Sequence, residues 1–384
     1  MSNTVRPRIY LDNAATTPLD EAVLEAMLPF YKEVFGNPSS IHAFGREAKV
    51  QIEKARKKVA ELFQVSPAEI FFTSGGTEAD NTALCGTIQA YPIKRAITSP
   101  LEHHAVLHTL ENLHKIGILQ ELVFVAIDEK GHINTDHLET LLKDQPTTLV
   151  SLMHGNNEIG NLTDIANVGA ICKAHGAIFH SDTVQTIGHY AHNLSQLPVD
   201  FVVGSAHKFH GPKGVGFLYI NHNVKIPPFI QGGAQERNMR GGTENMAGII
   251  GMATALELAY QHMEEHRKHI TSLKKRMIEG LTQRIQGVDF NGDSANLEKS
   301  LYTVLNVCLP PSELNEMLIF NLDIHKIAAS AGSACSSGTN IGSHVLQAIA
   351  TNPNCGSVRF SFSRMNTEAE IDYVVNTLAQ LLKK

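Results

Sequence analysis

Short apolar runs alternate with helical patterns along the first 220 residues, and this alternation constrains the fold more than any other feature. Residues 69–73, 95–99, 122–127, 149–153, 177–180, 201–205 and 215–220 read as strands bounded by turn residues. Helical segments lie between several of them, at 78–90, 105–115 and 164–175, and a longer amphipathic one at 41–63 precedes the first strand. Strands that alternate with helices build βαβ units. The pattern therefore predicts an α/β domain whose mostly parallel sheet is covered by helices on both faces.

The pattern changes near residue 260. A helix is expected over 264–285, with Ile270, Leu273, Met277, Ile278, Leu281 and Ile285 on one face. A strand-like run at 301–308, a helix at 312–320, a loop of small residues at 330–342 and a strand at 357–361 follow. The last helix opens with Thr367 and Glu370 as a capping box and buries Ile371, Val374, Val375 and Leu378. The expectation is a large domain over 14–260 and a smaller α+β C-terminal domain over 261–384, to which segment 1–13 belongs. At roughly 150 residues per domain, 384 residues leave room for both.

Charge and cysteine usage remove several function classes. Lys and Arg number 32 against 38 Asp and Glu, and a net charge of −6 argues against a nucleic-acid platform. No apolar run approaches the ~20 residues that span a bilayer, and the first residues hold no signal-peptide core, so a cytoplasmic protein is expected. The five cysteines (85, 172, 308, 335 and 355) show no CxxC and no metal-type spacing. They point away from a disulfide framework and from a metal centre.

Three strand ends carry chemistry. At 71–78, FFTSGGTE is a strand, a glycine turn and a helix start, where free N–H groups beside a hydroxyl make an anion site. A plain β-to-α turn has the same residues, and neither a GxGxxG nor a Walker pattern is present, so no dinucleotide or NTP is indicated. A second strand ends in Ser205, His207 and Lys208 and turns through Lys213. Most lysines are solvated surface charges, but one at a strand's carboxyl end lies where α/β sheets bind ligands and can hold an aldehyde as a Schiff base. At a third, FHSDTVQ over 179–185, a carboxylate is placed to pair with a pyridinium nitrogen. A phosphate cup, a Schiff-base lysine and an acid at three strand ends are what pyridoxal 5'-phosphate requires.

Longer motifs surround these residues and extend along the chain. They are YLDNAATT at 10–17, GNPSSIH at 36–42, SGGTEADN at 74–81, EHHAV at 102–106, NNEIG at 156–160, and Asp182 with Gln185. SAHK at 205–208, RGGTEN at 240–245, GSAC at 332–335 and VRFS at 358–361 complete the set. On these stretches, which span nearly the whole chain, the sequence resembles the NifS/IscS-type cysteine desulfurases, in the class V aminotransferase group of fold-type I, aspartate aminotransferase-like enzymes.

The resemblance implies roles. Lys208 would carry the cofactor aldehyde, with Lys213 in the following turn. Asp182 would hold the pyridinium proton and Gln185 the ring hydroxyl. Gly76, Thr77, Ser205 and His207 would bind the phosphate, with Thr243 supplied by the other subunit of a homodimer. His103 would stack on the ring and shuttle protons, while Asn157, Arg359 and Asn13 would fix the substrate, Arg359 through a guanidinium fork. His104 and His108, at i and i+4, read as ordinary surface or capping histidines.

Cysteine decides the reaction. Cys172 and Cys308 sit in apolar runs and read as core residues, Cys85 lies on a helix, and Cys355 lies in a loop without a motif. Cys335 matches the family's loop cysteine. The implied enzyme converts L-cysteine to L-alanine and leaves the sulfur on Cys335 as a persulfide for a protein acceptor, an iron–sulfur scaffold or a tRNA-thiolation protein. Selenocysteine lyase, another class V transferase and a non-catalytic scaffold subunit are the alternatives. The chain ends at Lys384, directly after the capped helix, where housekeeping members continue into a scaffold-docking segment, so the acceptor stays open.

Overall fold

The computed structural model describes residues 8–143, 147–331, 342–352 and 354–383. After a short strand β1 (Ile9–Tyr10), seven strands form the central sheet. They are β2 (Ile70–Thr73), β3 (Arg95–Thr98), β4 (Glu121–Phe124), β5 (Thr148–Ser151), β6 (Ile178–Asp182), β7 (Phe201–Ser205) and β8 (Gly216–Ile220), and they lie in the order β2-β8-β7-β6-β5-β3-β4. The pairs from β7 through to β4 are parallel, whereas β8 runs antiparallel to both its neighbours. Two reversals restore direction, so β2 points the same way as β7. The carboxyl ends of β2, β3, β5, β6 and β7 therefore share one edge of the sheet, the edge at which α/β sheets bind ligands.

Burial on both faces explains why these strands read as continuous apolar runs. Val202, Phe217 and Tyr219 belong to the main core with Ile52, Val59 and Phe63 of the helix Ala43–Phe63 and Ile249, Met252 and Leu256 of the helix Met246–Gln261. Each such side chain withdrawn from water contributes about 1.5–3 kcal/mol before the cost of ordering it.

A second core lies in the later chain. The strands β9 (Asp289–Phe290), β10 (Val304–Leu309) and β12 (Gly356–Ser361) form an antiparallel sheet in the order β12-β10-β9. β1 pairs in parallel with β11 (Ile327–Ala328), which brings Ile9 and Leu11 into the same core as Leu273, Met277, Phe360 and Val374. Both halves of the Thr367–Glu370 capping box form at the head of the helix Glu368–Leu381.

Two expectations change. The helix expected at 312–320 is displaced: Ser312 Oγ accepts the Leu314 N–H in a turn, and the α-helix runs over Leu318–Ile324 behind a 3-10 turn at Asn315–Met317. Leu318 and Leu322 are the residues it buries. Cys308 is not an inert core thiol and Cys355 is not solitary, because the two form a disulfide with Cα atoms 5.4 Å apart. The cause is register: β10 and β12 pair Cys308 with Ser357, which leaves residue 355 diagonally across the ladder. A separation of 47 residues hides this pairing from any reading of cysteine spacing. Among the described residues, no helix is long and apolar enough to cross a membrane.

Candidate active site

The carboxyl ends of β2, β6 and β7 enclose a cavity of about 230 Å³. Gly76, Thr77, Ser205, His207, Lys208 and Asp182 line it, and His103, Asn157, Gln185 and Arg359 complete the wall. Register explains the first convergence. Thr73 and Ser205 flank Gly216 on either side, so the two turns that leave β2 and β7 start side by side. No larger residue fits at 216, since a Cβ there would stand 2.4 Å from the Gly204 carbonyl oxygen and 2.8 Å from the Gly75 Cα.

The helix Gly76–Ala90 opens at this point. Its N-cap, Gly75, has no side chain to occupy the first N–H groups, which leaves them for an anion. A Cβ at Gly76 would approach Val184 Cγ2 to 2.8 Å, so the close turn needs glycine. His207 sits opposite, its Nδ1 3.1 Å from Thr16 Oγ1, and burial first, then Lys208 and Lys213, push its pKa down to about 4. It is a neutral hydrogen-bonding group at physiological pH.

Lys208 ends the 3-10 turn Ala206–Lys208, and its ammonium donates to the Ala14 and Ala15 carbonyls at 2.6 and 2.9 Å. Gln185 Nε2 donates to the same Ala14 carbonyl at 3.1 Å. The segment that leaves β1 thus forms one side of the site. Asp182 closes β6, and its Oδ1 accepts the Val184 N–H at 2.9 Å. Burial raises its pKa, against the opposing pull of His103, the Val184 N–H and Lys208. A buried carboxylate with so few donors has lone pairs to offer a cationic ring nitrogen.

His103 caps the helix His104–Lys115, with Nδ1 accepting the Ala105 N–H at 3.1 Å. That bond places the ring proton on Nε2. Burial lowers its pKa, with Asp182 pulling the other way and Lys208 adding to the fall. Arg359, 1% exposed on β12, donates from Nη1 to the Asn157 carbonyl at 3.0 Å and from Nη2 to Asp12 Oδ1 at 2.7 Å. Its Nε has no partner among the described residues. The fork expected for a substrate carboxylate is therefore already partly engaged.

Two expected site residues, Asn13 and Thr243, lie elsewhere. Asn13 borders a second cavity, of about 190 Å³, which shares Ala14, Gln185 and Lys208 with the first. Its amide donates to the Ser361 carbonyl at 2.8 Å and ties β1's exit to β12. Thr243 is exposed and lines a separate cavity with Thr73, Ser74 and Arg240. Cys335 falls outside the described residues. His104 and His108 meet at 3.1 Å, and His104 stacks against His344 with ring centroids 4.6 Å apart. Among the remaining cysteines, burial pushes the Cys172 thiol up to about 12 and raises that of Cys85.

Sequence reading gave no role to two buried acids at the site. Asp80 lines the cavity one turn after Thr77, and Glu102 lies directly before His103. Glu102 Oε1 accepts from Ser99 Oγ and the Met153 N–H, both at 3.0 Å, and burial lifts its pKa to about 8. A carboxyl inside the EHH and TEADN motifs was the available signal.

A family model described as Aminotransferase class-V matches residues 9–374. A protein named Cysteine desulfurase IscS from Dictyoglomus turgidum is 44% identical over 384 residues, covering 99% of this chain and 96% of that one. A solved structure described as a NifS-like protein superposes with a TM-score of 0.90 at 39% identity, covering 98% of this chain and 100% of the other. Another, described as SspA in complex with cysteine, gives a TM-score of 0.80 at 28% identity over 94% of this chain and 100% of the other.

Proposed function

The chain belongs to the class-V aminotransferase family, among its cysteine desulfurases, and from that premise we propose how its own residues do the work. One observation carries the reading: Lys208, Asp182 and the open helix start at Gly76 and Thr77 border a single cavity. This set fits pyridoxal 5'-phosphate, with an amine for the aldehyde, a buried carboxylate for the ring nitrogen and unoccupied N–H groups for the phosphate. Bound there, the cofactor supplies a sink for the electron pair left at the substrate Cα.

L-Cysteine is the substrate, a reading supported by the relative whose structure is described as a complex with cysteine. Arg359 holds its carboxylate with the help of Asn157, sharing its guanidinium between substrate and Asp12. Lys208 would hold the cofactor aldehyde, and its amine would take the proton from the substrate Cα. His103, with its proton on Nε2, would move a proton at the substrate. Asp182 would hold the ring nitrogen in its protonated form and Gln185 would bind the ring hydroxyl. Ser205 and His207 complete the phosphate site, with Thr243 reaching it from the other subunit of a homodimer.

Cys335 accepts the sulfur. Its thiolate attacks the substrate sulfur and forms the S–S bond as the Cβ–S bond breaks. The bond pair stays with Cβ, which takes a proton, and with the Cα proton returned from Lys208 the product leaves as alanine. Cys335 then holds a persulfide, to be passed to a protein acceptor. Borohydride reduction followed by mass mapping tests the site: the phosphopyridoxyl mass should fall on Lys208. The same mass on Lys213 would overturn the assignment.

A further inference from the structure

Behind Asp182 lies a buried polar chain with no place in the reaction described above. Ser151 on β5 pairs in register with His180 on β6, and Ser151 Oγ lies 2.8 Å from His180 Nδ1. On the far side of the ring, His180 Nε2 lies 3.3 Å from Asp80 Oδ1. The approach is close but does not meet hydrogen-bond geometry, and neither atom has a hydrogen-bond partner among the described residues. His180 is 0% and Asp80 1% exposed, and Asp80 is the member that lines the cavity with Asp182. Buried polar atoms left unsatisfied are costly, so a bare packing role explains this histidine and acid poorly.

Where the Ser151 hydroxyl donates to Nδ1, the imidazole carries its own proton on Nε2, the nitrogen that stands beside Asp80 Oδ1. Burial alone holds His180 neutral, with its pKa down at about 3. Oδ1 of Asp80 is the oxygen on the His180 side, and Oδ2 is left for the cavity. Burial, then the charges of Asp182 and Glu102, drive the Asp80 pKa well above the carboxylate range. Burial raises the Asp182 pKa as well, but His103, the Val184 N–H and Lys208 pull it back toward ionisation. Two neighbouring acids in unequal surroundings divide the roles, one charged and one keeping its proton.

We propose that Asp80, oriented by His180 and Ser151, is a positioning residue for Asp182, offering it a hydrogen-bond donor across the floor of the cofactor cavity. The donor keeps the Asp182 carboxylate ionised and aimed at the ring nitrogen. The proposal rests on the cofactor reading above.

The test compares the affinity of the cofactor-free full-length protein for pyridoxal 5'-phosphate and for its analogue with carbon in place of the ring nitrogen. Asp80→Ala should weaken pyridoxal 5'-phosphate about tenfold, the order carried by a lost hydrogen bond to a charged group. It should leave the analogue within about twofold of wild type, because the analogue has no nitrogen for Asp182 to hold. Asp80→Asn should restore pyridoxal 5'-phosphate binding, since an amide presents an acceptor to His180 and a donor to the cavity. Two outcomes overturn the proposal: Asp80→Asn as weak as Asp80→Ala, or an equal loss of both ligands in Asp80→Ala. Should Asp80→Ala not fold, Ser151→Ala must show the selective loss, and its absence overturns the proposal equally. A wild-type protein that takes up no pyridoxal 5'-phosphate would instead sink the cofactor reading itself.

Discussion

Arg359 shows how much a single side chain in this site is asked to do. Its two terminal nitrogens reach Asp12 and the Asn157 carbonyl, and only Nε is without a partner among the described residues. Lysine has one nitrogen and no planar fork, so it cannot serve Asp12 and a substrate carboxylate together. Arg359→Lys should raise KM for L-cysteine by about tenfold or more, with a smaller change in kcat, as expected for lost uniform binding. Steady-state kinetics reads this directly, and an unchanged KM would place the carboxylate elsewhere. Lys208, Asp182, Gly76 and Arg359 were all legible in the sequence, because each stands at the end of an apolar strand or inside a long motif. The Asp80–His180–Ser151 chain was not. Its members belong to one helix and two strands, and only the parallel register of β5 and β6 brings two of them together. The Cys308–Cys355 pair was hidden for the same reason, since it is a property of the β10–β12 ladder.

Elements were legible where their periodicity was strong and bounded. All seven central strands stand where apolar runs meet turn residues, with ends moved by a residue or a few. What periodicity could not supply was direction: β8 has the composition of its parallel neighbours yet runs against them. The helix Met263–Arg284 buries Ile270, Leu273, Met277 and Leu281, as the apolar spacing requires, but it also buries Lys274 completely. Lys274 Nζ donates to Ser300 Oγ at 2.8 Å and to the Leu301 carbonyl at 2.7 Å, clamping the approach to β10. Burial depresses its pKa from 10.5 to about 7, against a weak opposing pull from Asp293. Below pH 7 folded and unfolded chains both hold the proton. Above it the unfolded chain binds more protons, so stability rises with pH toward 10.5, by at most about 1.4 kcal/mol per unit. The urea midpoint of the wild type should climb more steeply between about pH 7 and 9 than that of Lys274→Met. Equal slopes would show that Lys274 is not the group responsible.

At the scale of the whole molecule, Thr243 and the surface near it bear on assembly. Thr243 is exposed and does not line the Lys208 cavity, so the phosphate role proposed for it requires a second subunit. Tyr31, Phe35, Ile41 and Phe44 are exposed close together in sequence, and Phe35 and Phe44 stack with ring centroids 5.8 Å apart. Apolar groups gathered in this way mark an interaction surface. The active protein should therefore sediment as an isologous dimer with two shared sites. Full activity at the mass of one chain, 41.9 kDa, would contradict this.

The central claim is that sulfur leaves L-cysteine for Cys335. The measurement that reaches it most directly is alanine release and protein persulfide, counted together, in wild type and Cys335→Ser. The wild type should form one persulfide for each alanine in its first turnover. The variant should still bind cofactor and substrate, because Lys208, Asp182 and Arg359 are intact, while both products fall by orders of magnitude. A Cys335→Ser protein that retains most of its alanine release, with Cys355→Ala losing it, would contradict the account.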